Sequence, residues 1–213
     1  MIRRLIALAS ILLTAAAAAP ASPVTLETNF ALGLNLCRFQ GKDMDTKFDV
    51  KAGFTAAALW SVTLTDFFGV QSGLMYSQKG GLFRTKLDGG DLRTNMAFSY
   101  LEVPLVVKLG YLPRAEPSFR IYALGGASFG VKISSRIKLD LIQDDFETPI
   151  DDLKLTGYKS TALNGIAGAG FDFAVKGGFL FFEGRYSQSL ATISAEGVDH
   201  RFKVLTFIAG YSF

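Results

Sequence analysis

Apolar and polar residues in this 213-residue chain alternate with a period of two, and a helical period is absent after the first twenty residues. The pattern fills about eight segments, near residues 29–38, 47–59, 67–79, 97–111, 118–133, 160–174, 178–190 and 201–213. Each runs for about 10 to 16 residues, beyond the ~5–6 of a globular strand and enough for the ~9–11 of a tilted membrane-crossing strand. Alternation over that length sends every second side chain to one face of a sheet.

The two faces differ in a particular way. Near the C-terminus Leu205, Phe207, Ala209, Tyr211 and Phe213 share one face, with Thr206, Ile208, Gly210 and Ser212 opposite. Leu101, Val103, Leu105, Val107, Leu109 and Tyr111 form an unbroken apolar face, backed by Glu102, Pro104, Val106, Lys108 and Gly110. Phe119, Ile121, Ala123, Ala127, Phe129 and Val131 lie against Arg120, Tyr122, Ser128 and Lys132. Leu180, Phe182 and Tyr186 lie against Glu183, Arg185, Ser187 and Ser189. The second face is thus small residues with isolated charges of both signs. A solvated face would be denser in Lys, Glu, Thr and Asp, whereas a sparse polar face suits the inside of a narrow closed barrel with its apolar face in lipid. Closure follows because an open edge would strand backbone N–H and C=O groups in hydrocarbon. The expected fold is therefore all-β, an eight-stranded antiparallel up-and-down transmembrane β-barrel filled by its own side chains. The main rival is a soluble barrel with the apolar face turned inward around a ligand.

Composition then falls into place. Hydrophobic residues are 49%, charged residues 19%, and the mean hydropathy is +0.29. Disorder is excluded by the hydrophobicity, and a disulfide framework by the single cysteine, Cys37, expected to be a small buried side chain. The N-terminus reads as an export signal: Arg3 and Arg4, then an uncharged run from Leu5 to Ala19, then a small-residue cleavage site at Ala19-Pro20-Ala21. Residues 1–21 are read as signal peptide and 22–213 as the barrel domain. Removal of Arg3 and Arg4 lowers the formal charge of +3 by two, leaving no basic excess for nucleic acid.

Connections alternate in length. Those near residues 39–46, 80–96, 134–159 and 191–200 are long; those at 60–66, 112–117 and 175–177 are short, as in barrels with short periplasmic turns and long external loops. Trp60, Phe67, Tyr111, Phe119, Phe179, Tyr211 and Phe213 would form an aromatic girdle at the periplasmic rim.

Several stretches carry a family likeness. Residues 99–108, Ser-Tyr-Leu-Glu-Val-Pro-Leu-Val-Val-Lys, resemble the Tyr-Leu-Glu-Ile-Pro stretch of the PorT-like outer-membrane β-barrel domain family, with Val103 where Ile is usual. Residues 70–80, 122–126 and 182–186 are similar to its third, fifth and seventh strands. The ending at Tyr211 and Phe213 resembles the terminal aromatic signal read by the barrel-assembly machinery. The resemblance implies a Gram-negative outer-membrane location and contact with outer-membrane lipid. It also implies a secretion or surface protein as partner; the long acidic loop at 134–159 departs from the family.

The charges facing inward are the candidate site: Lys51, Glu102, Lys108, Arg120, Asp172, Glu183 and Arg185, with Asp49 and Lys79 beside them. Buried charges must be paired, so a structural ion-pair network is expected, with Glu102 near Lys108 or Arg120 and Glu183 near Arg185. Pro104, inside a strand, is expected to create a bulge or kink. His200 is expected on a loop surface; a lipid enzyme could combine it with Ser194, Glu196 or Asp199, but adjacency in sequence does not make a triad. Asp140, Asp144, Asp145, Glu147, Asp151 and Asp152 lack the spacing of a calcium loop and are read as a solvated acidic loop. No catalytic, cofactor or metal residue is assigned. The expected function is a monomeric, non-enzymatic barrel with a structural or interaction role, the alternative being a narrow porin-like channel.

Overall fold

The computed structural model describes residues 24–41, 49–87, 90–113, 118–143, 146–153, 158–192 and 200–213. Its strands are β1 (Thr25–Gly41), β2 (Lys51–Thr65), β3 (Phe68–Leu87), β4 (Gly90–Tyr111), β5 (Phe119–Gln143), β6 (Phe146–Leu153), β7 (Thr161–Val175), β8 (Gly178–Ser189) and β9 (His200–Ser212). The sheet order is β4-β3-β2-β1-β9-β8-β7-β5-β6, and β4 also pairs with β5. That last ladder closes eight strands into an antiparallel barrel, with β6 attached outside the ring. The first and last barrel strands zip together from Asn29↔Ser212 to Gly41↔His200.

Alternation decides the facing of every strand. Phe30, Leu32 and Leu34 of β1, Leu101, Val103, Leu105 and Leu109 of β4, Ile121 and Phe129 of β5, Phe171 and Phe173 of β7 and Phe207 of β9 point outward and are exposed. They make a continuous apolar belt. Inside, Asn29, Asn35, Gln71, Glu102, Arg120, Asp172, Glu183 and Arg185 are buried. Polar groups are therefore in the core and apolar groups on the surface, which rules out the inward-facing soluble alternative.

Four expectations change at this level. First, β2 runs on to Thr65 and turns at residues 66–67, where a turn over 60–66 was expected. Ser61 and Thr63 are buried inside the barrel and continue the alternation in polar form. Second, the stretches expected as loops at 80–96 and 134–159 are largely strand. The β3–β4 ladder extends to Leu87↔Gly90, β4–β5 to Asp91↔Ile142, and β6 pairs with β5 from Ile137↔Leu153 to Gln143↔Phe146. Arg84, Lys86, Arg93, Arg136, Lys138 and Asp140 give these stretches the look of loops, although Ile137, Leu139 and Leu141 keep the period of two in β5 and backbone pairing continues. From Ser99 to Asp91 the ladder rises about 27 Å at ~3.4 Å per residue, forming a four-stranded sheet that projects from the barrel.

Third, Pro104 causes no bulge. The β3–β4 register is the same on both sides of it, Ser72↔Leu105 and Met75↔Glu102, with a gap in pairing between them. Gly73 lies opposite in that register and takes a φ of 151°, a backbone region open to glycine. The missing proline N–H is absorbed there, and Ser72 Oγ donates to the Pro104 carbonyl at 2.9 Å. The irregularity falls instead at Ser99/Tyr100 in the β4–β5 ladder. Fourth, Phe179 leaves the girdle. It shares parity with Phe181, Glu183 and Arg185 and lies under the Arg120 guanidinium, 4.0 Å from ring centroid to Cζ. Trp60, Phe67, Tyr111, Phe119 and Phe213 do point outward. Tyr211 is half-buried beside Phe213, with ring centroids 6.1 Å apart.

Candidate functional site: the charged barrel interior

The interior is built in layers, starting from the end that carries the short turns. Arg120 of β5 donates to Glu27 Oε1 of β1 at 2.7 Å and lies 3.9 Å from Asp172 Oδ2 of β7. Ser212 Oγ donates to the other Glu27 oxygen at 3.1 Å. In the next layer the Tyr122 hydroxyl is a hub. It lies 2.9 Å from Asp172 Oδ1, 2.8 Å from Glu183 Oε1 and 3.2 Å from Lys108 Nζ, which donates to it. Lys108 also pairs with Glu183 at 2.9 Å, and its ammonium sits over the Tyr122 ring at 4.2 Å. Arg185 forks onto Glu183 Oε2 through Nε, at 2.7 Å, and Nη2; that same Nη2 reaches Gln71 Oε1 at 2.6 Å. Gln71 donates to Ser61, and so does Asn29.

Nearer the loop end Lys79 is paired with Glu102. Ser128 donates to Glu102 Oε2 at 3.0 Å, and Asn164 donates to Ser128. Asn35 links Ser77, the Gln78 carbonyl and Thr206. An apolar plug then closes the lumen: Cys37, Phe39, Phe98, Tyr100, Ala162, Phe202 and Val204 pack together, with Phe83, Met96 and Tyr158 against them.

Glu102 is therefore partnered by Lys79, not by Lys108 or Arg120 as expected; Lys108 goes to Glu183, and Arg120 to Glu27 and Asp172. Glu183 and Arg185 are brought together. Lys51 stands apart from the network, half-buried at the loop end, donating to Asn95 Oδ1 and the Met96 carbonyl. Asp49 is exposed and outside the interior, bridged through its backbone to Leu82. His200 is buried, not on the surface: its ring stacks on Tyr158 at 6.2 Å and meets Phe39 edge-on at 5.1 Å. Because His200 begins β9 on the inward face, it joins the plug. Ser194, Glu196 and Asp199, residues 1–21, and the side chains of the acidic segment at 140–153 lie outside the described residues.

Sequence reasoning passed over Glu27 and underused Tyr122. Glu27 carries the parity of Asn29 and Asn35, so extending β1 two residues backward would have placed it inside. Tyr122 was on the inward face, but its three charged neighbours come from β4, β7 and β8, and only closure joins them.

The buried charges balance: Lys79, Lys108, Arg120 and Arg185 against Glu27, Glu102, Asp172 and Glu183. The space between Glu102, Lys79 and Arg185 has a volume of about 10 Å³, too little for more than about one water. The wall is equally tight. A Cβ built at Gly170 would lie 2.7 Å from Glu183 Cγ and 2.8 Å from Tyr122 Cε2. Gly170→Val is expected to push Tyr122 off its partners and cost about 1–3 kcal/mol, as overpacking does. A lower urea midpoint for the refolded protein in detergent checks this; an unchanged midpoint would contradict the packing described.

A family model for the outer membrane protein β-barrel domain matches residues 19–195. The chain belongs to that family. Among solved structures of similar fold are Ail, the attachment invasion locus protein of Yersinia pestis (16% identity, 88% of this chain and 98% of that one, TM-score 0.43) and OprG of Pseudomonas aeruginosa (15%, 88% and 95%, 0.47). Neisserial surface protein A is another (9%, 90% and 100%, 0.44). No curated protein matches the chain. As an outer-membrane barrel protein it would meet hydrocarbon with its apolar belt, and the girdle residues Trp60, Tyr111 and Phe119 would take the interface.

Proposed function

We propose that this barrel is a non-conducting, non-enzymatic anchor that holds the projecting β3–β6 sheet outside the cell for contact with a surface or secretion protein. The filled lumen carries this reading. Its charges neutralise one another in layers, and an aromatic plug caps them, so neither a water column nor a ring of one sign is left to pass ions. The likeness of residues 99–108 to PorT-like barrels supports a protein partner. The packing of His200 between aromatic rings favours a structural role over a catalytic one. Residues 1–21 serve as the cleaved export signal, and Tyr211 and Phe213 as the signal to the assembly machinery.

The test is electrical. Purified, refolded protein inserted in planar bilayers is expected to give no stepwise currents at any applied voltage that the bilayer withstands. Discrete conductance steps that change in size with Glu102→Gln would overturn the proposal in favour of a narrow channel.

A further inference from the structure

On the loop side, the apolar belt ends at Leu36 of β1 and Leu205 of β9, opposite each other in the ladder. Tyr186 of β8 is opposite Leu205. Two residues further along each strand, facing the same way, comes a row of another kind: Arg38 of β1 opposite Lys203 of β9, which is opposite Gln188 of β8. The next row out pairs Gln40 with Arg201. Arg38 is exposed and Lys203 half-buried. Neither has an acidic partner among the described residues, and two like charges directly opposite in a sheet destabilise it. A phosphate from outside the chain would supply the counter-charge that the described residues of the β1–β9 ladder do not give Arg38 and Lys203.

We propose that Arg38 and Lys203 bind the phosphate of a phosphorylated glycolipid in the outer leaflet. The proposal rests on the membrane placement given above, with the loop end outward. Cross-strand Cβ atoms sit about 5 Å apart, so a guanidinium and an ammonium in this row can close on one phosphate. Arginine offers it a two-pronged donor and lysine a point charge. Gln188 and Gln40 add amide donors at the edges of the patch. Tyr186, whose hydroxyl donates to Gln188 Oε1 at 3.2 Å, has the amphipathic character of an interface residue. Leu36 and Leu205 lie directly below, where the acyl chains of the same lipid would begin. One row thus matches both halves of one molecule: anion above, hydrocarbon below.

The full chain, refolded in uncharged detergent micelles, is titrated with lipid A bearing its phosphates and with the dephosphorylated lipid, and bound lipid is counted by native mass spectrometry. The phosphorylated lipid is expected to be retained and the dephosphorylated one not. Arg38→Gln combined with Lys203→Gln should weaken retention by at least about tenfold, as loss of charge-assisted bonds implies. Lys176→Gln, in the turn at the other end of the barrel, should change nothing. If the double variant does not refold, Lys203→Gln alone is read, with a weakening of about threefold expected from one cation. Equal retention of the two lipids, retention indifferent to these substitutions, or displacement by an equal concentration of inorganic phosphate would each overturn the site. Extraction of the protein from cells by carbonate without detergent would instead overturn the membrane placement itself.

Discussion

Glu183→Leu is expected to cost the refolded barrel about 3–5 kcal/mol, the range for breaking a buried ion pair from one side. Glu183 is 2% exposed and is the point at which three strands meet. Lys108 reaches it from β4, Arg185 is its neighbour on β8, and the Tyr122 hydroxyl comes from β5. Leucine fills similar volume but takes the carboxylate away from the Lys108 ammonium and the Arg185 guanidinium, leaving Arg185 without its ion-pair partner. Most of the cost is that uncompensated desolvation, not the lost attraction. Glu183→Gln keeps acceptor geometry and should cost less. Glu183→Leu with Lys108→Leu removes one of the two cations and should recover part of the loss, a non-additivity that marks directly coupled groups. Urea titration of the refolded protein, followed by heat-modifiable gel migration, measures all three. A Glu183→Leu barrel as stable as the parent would show that the interior charges do not hold the strands together.

Leu105→Arg is the second large effect, and it tests the outer face. Leu105 is 61% exposed and lies midway along the outward row from Leu101 to Tyr111. In water an exposed leucine replaced by arginine changes little. At the middle of a bilayer, arginine on the lipid face of a barrel costs about 2–4 kcal/mol, falling to ~0–1 near the interface. Tyr111→Arg, at the girdle, therefore serves as the depth control. Folding into lipid vesicles and measuring the urea midpoint of each variant should rank Leu105→Arg well below Tyr111→Arg. Equal midpoints would mean that the belt does not sit in hydrocarbon.

Much of the barrel was readable because alternation carries parity. Knowing that Leu101 faces out places Glu102, Lys108 and, on other strands, Arg120 and Glu183 inside, without any knowledge of neighbours. The reading failed where parity lost its hydrophobic label. In β2 the inward residues Ser61 and Thr63 looked like turn chemistry. Above the belt, charges such as Arg84, Lys86, Arg136 and Lys138 made residues 82–95 and 134–143 look like loop, although Ile137, Leu139 and Leu141 keep alternating and the backbone continues the ladder. His200 was misplaced because the start of β9 was set one residue too late, on the wrong side of the plug.

Pairing needs more than parity. Whether Glu102 meets Lys79, Lys108 or Arg120 depends on register and tilt, which period-two alternation leaves free in steps of two. Arg120 and Glu27 are 93 residues apart, and Arg185 and Gln71 are 114 apart; only closure of β4 on β5 and of β1 on β9 brings them within reach. The same holds on the outside. The amino-acid order alone puts Arg38 and Lys203 on outward faces, but their meeting in one row is a property of the β1–β9 seam. The sequence by itself thus determined which side of the wall each residue occupies, because side-chain direction is a local consequence of the extended backbone. The tertiary structure decided which residues meet, because that requires the register of eight strands closed on themselves.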